Sequence, residues 1–434
     1  MSREERIQQL YRNNKPYTFN KDNLVFQTLK WEKEDIPYDE EDYSLGRRLV
    51  IRTFGLTKEG HSVSLEITNF TPFFYLKLPP LVTEKKIREI QFKIKSIIKG
   101  YVERKQCFDF SKDLVYPFEV CTLKSLYYFD NWKDYRFLKI SFKTDSAKWN
   151  LIKALFKYSD EPITASTIKF QTTKNVGSIR NPLYLDVYES KTDTIIRFLH
   201  ITDINPIDIL TIEKSKLKRF IKKSTCQICY SVKYTDIKKS TEEWFAPFRV
   251  SSFDIECTSQ DGSFPLAERK DNPIIQIGTT SRMYGSEKCF IRHIVTLKKC
   301  DEIKDISEDE FVIVESVDTE AQLLRTWTKH IQNIDPDILT GYNIFTFDWK
   351  YIYDRAVLLG CVNDVFKLGR FKYNTCKLKK KNLSSSAMGS NELYYPIISG
   401  RDQIDLLPVI RNGQDKLSSY KLDSVANYYL KLRK

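Results

Sequence analysis

The sequence predicts a mixed α/β protein with more than one folded unit, and three observations carry that reading. Its 434 residues leave room for two or three domains, each with an ample core. Hydrophobic residues at 41% and aromatics at 13% are too abundant for a disordered chain. Apolar runs of strand length alternate with stretches of helical periodicity.

Residues 1–44 are polar and charged, acidic from Asp35 to Asp42, and read as a lead-in. Residues 45–245 form a first domain in which Arg48 to Phe54, Ser62 to Ile67 and Phe73 to Leu78 read as strands. Glu84 to Ile98 places Ile87, Ile90, Ile94 and Ile97 on one helical face, with lysines and arginines elsewhere. A lysine-rich face of this kind is usually solvated, and phosphate contact is the minority reading.

Trp244 to Pro247 marks a boundary, and residues 246–434 form a second domain. Val250 to Ile255, Ile274 to Gly278 and Cys289 to Leu297 read as three strands of a small sheet. Asp318 or Thr319 caps a helix, Gln322 completes a capping box, and Leu323, Leu324, Trp327 and Ile331 line its apolar face. A short strand at Ile338 to Thr340 leaves through Gly341, which permits a tight exit. Asp348 then opens a helix marked by Ile352, Ala356 and Leu359. Lys372 to Lys381, with Phe371 and Tyr373 nearby, reads as a basic loop. Mixed cations and aromatics suit single-stranded DNA, with plain solvation an equal alternative.

The most informative residues are Phe253-Asp254-Ile255-Glu256. On a strand, Asp254 and Glu256 share one side while Phe253 and Ile255 face the core. Two carboxylates side by side repel unless a cation lies between them, and an oxygen-only pair suits Mg²⁺ or Mn²⁺ better than zinc. Alone, the triplet is read as one carboxylate capping a neighbouring helix and one solvated, with a metal site the minority reading. Asp348 alone would be a helix N-terminal charge.

Composition narrows the function classes. Seventy Lys plus Arg against 57 acids leave +13, which suggests a polyanionic partner or a lysine-rich surface. No run of 18 apolar residues and no signal peptide are found, so no membrane partner is expected. Nine scattered cysteines fit reduced thiols inside a cell. Cys226 and Cys229 form a lone C-x-x-C, read as structural rather than zinc-binding. Four histidines argue against imidazole chemistry as the main mechanism.

The FDIE stretch and Asp335-Pro336-Asp337-Ile338-Leu339-Thr340-Gly341-Tyr342-Asn343-Ile344-Phe345-Thr346-Phe347-Asp348 together resemble the first and second exonuclease motifs of family B DNA polymerases. The likeness extends to Leu49–Leu78, to Ser125-Leu126-Tyr127 with Phe137–Ile140, to Pro247–Val250, to Lys381–Ser390, to Gly400–Leu407 and to Tyr420–Ala426. It is strongest to eukaryotic delta-type enzymes and those of large nucleocytoplasmic DNA viruses. The resemblance implies a family B N-terminal domain followed by an incomplete RNase H-like 3′–5′ exonuclease domain. It implies two-metal hydrolysis with two Mg²⁺ or Mn²⁺ ions held by Asp254, Glu256 and Asp348, the catalytic residues. Asn343, Phe347 and Tyr342 would hold the single-stranded 3′ end, and Lys377, Lys379, Lys380 and Lys381 are candidate DNA-backbone contacts.

The third exonuclease motif, Tyr-x-x-x-Asp, is matched only by Tyr38 with Asp42, far from its expected place, and no palm motif is found. The expectation is therefore the front part of a replicative polymerase, without polymerase activity and impaired as an exonuclease by itself. Its partners would be DNA at a primer-template, the C-terminal polymerase portion and a sliding clamp, in the nucleus or at a cytoplasmic viral replication site. A free-standing DEDD-type nuclease and a non-catalytic single-stranded DNA-binding module are the alternatives.

Overall fold

The computed structural model describes residues 2–12, 17–38, 46–80, 82–105, 109–125, 131–158, 167–170, 183–219, 223–301, 303–371, 374–385 and 389–431. Asp42, Leu126, Tyr127, Lys372 and Tyr373, all named above, lie outside the described residues.

In chain order the elements begin with α1 (Arg3–Leu10), β1 (Asn23–Pro37), β2 (Arg47–Leu56), β3 (Ser62–Thr68) and β4 (Phe73–Lys77). Next come α2 (Glu84–Lys105), β5 (Glu119–Lys124), β6 (Asp134–Ser141), α3 (Asp145–Tyr158), β7 (Thr167–Phe170) and β8 (Leu183–Tyr188). They are followed by α4 (Thr194–Thr202), β9 (Ile209–Glu213), β10 (Ile228–Lys233) and β11 (Lys238–Lys239). From the predicted boundary onward run β12 (Arg249–Cys257), β13 (Ile274–Met283), β14 (Cys289–Leu297), β15 (Phe311–Val317), α5 (Glu320–Ile334) and β16 (Ile338–Gly341). The last are α6 (Asp348–Leu358), α7 (Val362–Val365), β17 (Leu378–Ser385), β18 (Gly389–Pro396), β19 (Asp402–Asp405), α8 (Leu406–Asn412) and α9 (Leu422–Leu430).

Three sheets organise the molecule: β10-β3-β2-β1-β9-β11, then β5-β6-β4-β8-β7, then β15-β14-β13-β12-β16-β19. The lead-in reading of residues 1–44 is corrected here. β1 is an inner strand between β2 and β9, with Leu24 and Phe26 fully buried. Its polar residues hid the strand because they are matched in place: Lys33 pairs with Asp145 and Asp193, and Glu34 meets Arg52. In α2 the buried face is Ile87, Ile90, Ile94 and Ile98; Ile97, predicted for that stripe, is only partly buried. The 3.6-residue period carries the stripe one position further along by the fourth turn.

The third sheet positions the site. β12 pairs antiparallel with β13 and parallel with β16, which pairs parallel with β19. This strand order, flanked by α5 and α6, matches the RNase H-like expectation and adds two strands the sequence reading missed, β15 and β19. α5 starts at a Thr319 capping box closed by Gln322, as predicted, and buries Leu323, Leu324, Trp327 and Ile331. Phe253, Trp327 and Trp349 meet in the core, with Phe253 centroids 5.3 and 4.8 Å from the two indoles.

A buried charge cluster clamps the starting ends of β12, β16 and β19. Arg12 donates to both carboxylate oxygens of Asp337, at 2.9 and 2.8 Å. Arg370 binds Asp335 and Asp337, and Arg401 binds Asp335 at 2.7 Å. The backbone N–H of Arg249 also donates to Asp337, and its guanidinium donates to Leu10 and Ile334 carbonyls. The N-terminal residues are thus part of the sheet's foundation.

Candidate exonuclease site

The far ends of the same strands carry the candidate site. Phe253 and Ile255 are buried while Asp254 and Glu256 are exposed, the alternation expected from the sequence. β12 and β16 come close together at Gly341. A Cβ there would lie 2.6 Å from the Phe253 carbonyl oxygen and 2.5 Å from Ile344, so only glycine fits beside Asp254.

From Gly341 the chain turns through Asn343, whose φ is +67°, and reaches Asp348 at the first position of α6. The turn is held by Asp405, at the end of β19. Its carboxylate accepts from the N–H groups of Asn343 at 2.8 Å and Phe345 at 3.0 Å, and also caps α8 through Leu407. Asp405 was missed by sequence reasoning. The only local signal was an acidic residue before a helix, which reads as an ordinary cap.

Asp348 is 3% exposed, and its Oδ1 has no hydrogen-bond partner. Burial pushes its pKa up to about 7; the neighbouring Asp254 charge adds to the rise, and the backbone amides of Asp348 and Ile255 oppose it. Burial and the nearby Asp348 and Glu256 charges also raise the Cys257 thiol, to about 12, placing both carboxylates around that residue. Among the described residues, no three His, Cys, Asp or Glu side chains are drawn tightly enough together to enclose an ion. Asp254, Glu256 and Asp348 are therefore not gathered into one closed ligand set, although Asp254 lies close enough to Asp348 to act on its charge. The fit to a hard cation rests on the orphaned Asp348 oxygen and the like charge beside it, since a divalent ion answers both.

The other predicted site residues divide. Phe347 is partly exposed next to Asp348; its ring lies 5.5 Å from Phe264 and 5.3 Å from Tyr351. Phe264 is 70% exposed on the loop after β12, so two aromatic rings border the site; the sequence reading had named one. Tyr342 does not present a free hydroxyl, because it donates to the Tyr420 carbonyl. Its ring instead lines an apolar cavity of about 400 Å³ with Phe253, Leu406, Val425 and Tyr429, next to Asp254.

The basic loop is corrected to a hairpin. Lys379, Lys380 and Lys381 lie on β17, which pairs with β18; Lys377 just precedes it. Strand alternation splits the lysines. Lys380 is paired with Glu392 at 2.6 Å and lies 5.6 Å from the Tyr394 ring. Lys379 and Lys381 line a cleft of about 970 Å³ with Lys30, Phe345, Phe371 and Tyr395. The hairpin joins the site through Tyr394, whose N–H donates to the Phe345 carbonyl at 2.6 Å.

The geometry agrees with comparisons to known proteins. The profile of the exonuclease domain of DNA polymerase family B matches residues 185–425, more than half of the chain. The chain is 32% identical over 411 residues to a DNA polymerase of Acanthamoeba polyphaga mimivirus, covering 94% of this chain and 22% of that protein. It is 30% identical over 432 residues to the DNA polymerase delta catalytic subunit of Arabidopsis thaliana, covering 96% and 36%. The family B DNA polymerase of Pyrobaculum calidifontis shares the fold, with a TM-score of 0.56 at 20% identity over 94% of this chain and 40% of that one. The chain thus spans well under half the length of these relatives. It belongs to DNA polymerase family B and carries that family's exonuclease domain.

Proposed function

We propose that this chain is the N-terminal and proofreading portion of a replicative DNA polymerase, and that it removes nucleotides from single-stranded 3′ ends. The observation that carries this reading is Asp348. A buried carboxyl with an orphaned oxygen, pressed against Asp254, is costly in a protein that only binds. The cost is repaid where a divalent cation has to be held.

Asp254, Glu256 and Asp348 would hold that metal. Two Mg²⁺ or Mn²⁺ ions, when bound, supply water activation and charge neutralisation at the leaving 3′ oxygen. Asp348 must release its proton before it can ligate, and burial, with the Asp254 charge added to it, sets how readily it does so. Phe347 and Phe264 offer ring faces for the terminal bases. Asn343, held by its backbone to Asp405, offers a polar side chain at the turn. Lys379 and Lys381 carry the backbone contact, while Lys377 remains a candidate and Lys380 is occupied by Glu392. The enzyme would work on DNA inside a cell, with the polymerase portion and a sliding clamp as partners.

The test is Mn²⁺ binding to the 434-residue chain, followed by calorimetry, alongside release of a 3′-terminal label from a single-stranded oligonucleotide. Saturable binding that disappears in Asp254→Ala supports the reading. Unchanged binding in Asp254→Ala would remove it.

A further inference from the structure

α6 does two things beside the site: it begins with Asp348, and its next two turns hold the loop that borders that residue. The loop, residues 258–273, runs from the end of β12 to the start of β13. Its tip is open to solvent, with Phe264 70% exposed, while Ala267 and Asn272 are buried. An exposed tip of this kind is placed by whatever its base is tied to.

The main tie is Arg355, a buried residue two turns along α6 from Asp348. Its guanidinium grips the Glu320 carboxylate, at the start of α5, with two bonds of 2.8 and 2.5 Å. The remaining terminal nitrogen donates to two loop carbonyls, Ala267 at 3.0 Å and Arg269 at 2.6 Å. Glu320 in turn accepts from the Ile274 N–H at 2.9 Å, which fixes the point where the loop becomes β13. One turn nearer Asp348, the Tyr351 hydroxyl donates to the Asn272 carbonyl at 2.8 Å. The Asn272 side chain closes the bend by accepting from the Leu266 N–H at 2.9 Å. Residues 266–274 are thus fastened to α5 and α6, and the tip that carries Phe264 leaves directly from the fastened part.

At that tip the Phe264 ring meets Phe347 edge-on at 5.5 Å, and Phe347 lies 5.3 Å from Tyr351. The three rings form a row along the first turn of α6. One helix therefore places the Asp348 carboxyl and, through Arg355 and Tyr351, the ring that stands near it. An ion pair serving stability alone would need no more than a positive charge beside Glu320. Arg355 instead uses all three guanidinium nitrogens, and half of its bonds go to the loop backbone.

We propose that Arg355 is a positioning residue for the exonuclease reaction: it sets where Phe264 stands relative to Phe347 and Asp348, and so how firmly the 3′-terminal base is held. The proposal rests on the exonuclease reading of this site. Arg355 acts through the loop alone, since its bonds to Glu320, Ala267 and Arg269 leave it buried behind the rings.

Arg355→Lys separates the two roles, because a lysine keeps the charge opposite Glu320 but cannot span the carboxylate and two carbonyls. The probe is a single-stranded oligonucleotide carrying 2-aminopurine, whose fluorescence is quenched by stacking, at its 3′ end, with a phosphorothioate last linkage to slow cleavage. In Mg²⁺ the full chain should quench this probe, and Arg355→Lys should weaken the interaction roughly tenfold, the loss expected for one stacked base. Phe264→Leu should cause the same loss, and the double variant no more than either change alone, because one residue acts through the other. Thermal unfolding shows whether Arg355→Lys is folded. Should it not be, Tyr351→Phe takes its place with a loss in the same direction, since it keeps the ring and removes the hydroxyl that ties Asn272. Undiminished quenching by a folded variant, additive losses in the double variant, or no quenching by the unmodified chain would overturn the proposal. Mn²⁺ binding that is lost in Asp254→Ala judges the exonuclease reading separately, so a positioning role that fails beside intact metal binding fails by itself.

Discussion

Two pairs of aspartates on one sheet were given opposite treatment. Asp335 and Asp337, at the starting ends of β16 and its neighbours, are fully buried yet held well below the usual carboxylate range by Arg12, Arg370 and Arg401, against the opposing effect of burial. Asp348, at the other end, is nearly as buried and sits beside Asp254, with its pKa pushed up to about 7. The chain supplies countercharge to the first pair, whereas the Asp348 Oδ1 has no hydrogen-bond partner. Buried charge is thus neutralised by arginines at one end and left as a raised, partly protonated carboxyl at the other, the end where the proposed function places a cation.

The contrast can be broken at either end, and the largest effect belongs to the satisfied one. Arg370→Leu leaves Asp335 and Asp337 short of a partner and should destabilise the protein by roughly 3–5 kcal/mol, read by urea denaturation. A loss below about 1 kcal/mol would mean that the clamp is redundant. Next comes Gly341→Ala, whose new methyl meets the Phe253 carbonyl and Ile344. It should cost about 2–3 kcal/mol and reduce Mn²⁺ affinity as well, since the strands part beside Asp254.

At the unsatisfied end the sign reverses. Between pH 4 and 7 the folded protein keeps a proton on Asp348 that the unfolded chain has lost, so the penalty of this carboxyl grows as pH rises through that window. Asp348→Asn should therefore stabilise the metal-free protein by about 1–2 kcal/mol at pH 7.5, and by much less at pH 4. Equal thermal shifts at both pH values would contradict the assignment.

The smallest effect sharpens the comparison with a third buried group. His330 stacks on His293 with centroids 3.8 Å apart, in a neighbourhood that also holds Glu315, which pairs with His293, and Tyr11 and Lys329 beside Glu315. Burial, and then His293, hold the His330 pKa well below its ordinary value. The unfolded chain takes up a proton near pH 6.5 that the folded one refuses, so stability falls as pH drops below that point. The loss should be about 1 kcal/mol between pH 6.5 and 5.5, and His330→Gln should abolish it.

What the sequence revealed follows the same division. The alternation of Phe253 to Glu256, the capping box at Thr319 and the helix start at Asp348 were legible because each rests on spacing within a few residues. Asp405 and the Arg12 cluster were not, because their meaning lies in partners 62 and more than 300 residues away. β1 was hidden for a related reason: its charged residues look like a solvated lead-in until Asp145, Asp193 and Arg52 are brought to them. Lys380 looked like its neighbours until the hairpin turned it toward Glu392. Local periodicity specifies elements; long-range charge pairing specifies which carboxylates are left over.

The most direct test of that leftover charge is the titration of Asp348 itself. Carbon-13 NMR of carboxyl-labelled aspartates, with Asp348→Asn providing the assignment, follows its protonation with and without Mg²⁺. The expected midpoint is near pH 7 in the metal-free protein, moving down by more than one pH unit when Mg²⁺ is added, because the ion replaces the proton. A midpoint close to 4 that Mg²⁺ does not move would show a carboxylate already satisfied by the protein, and the cation site would not exist.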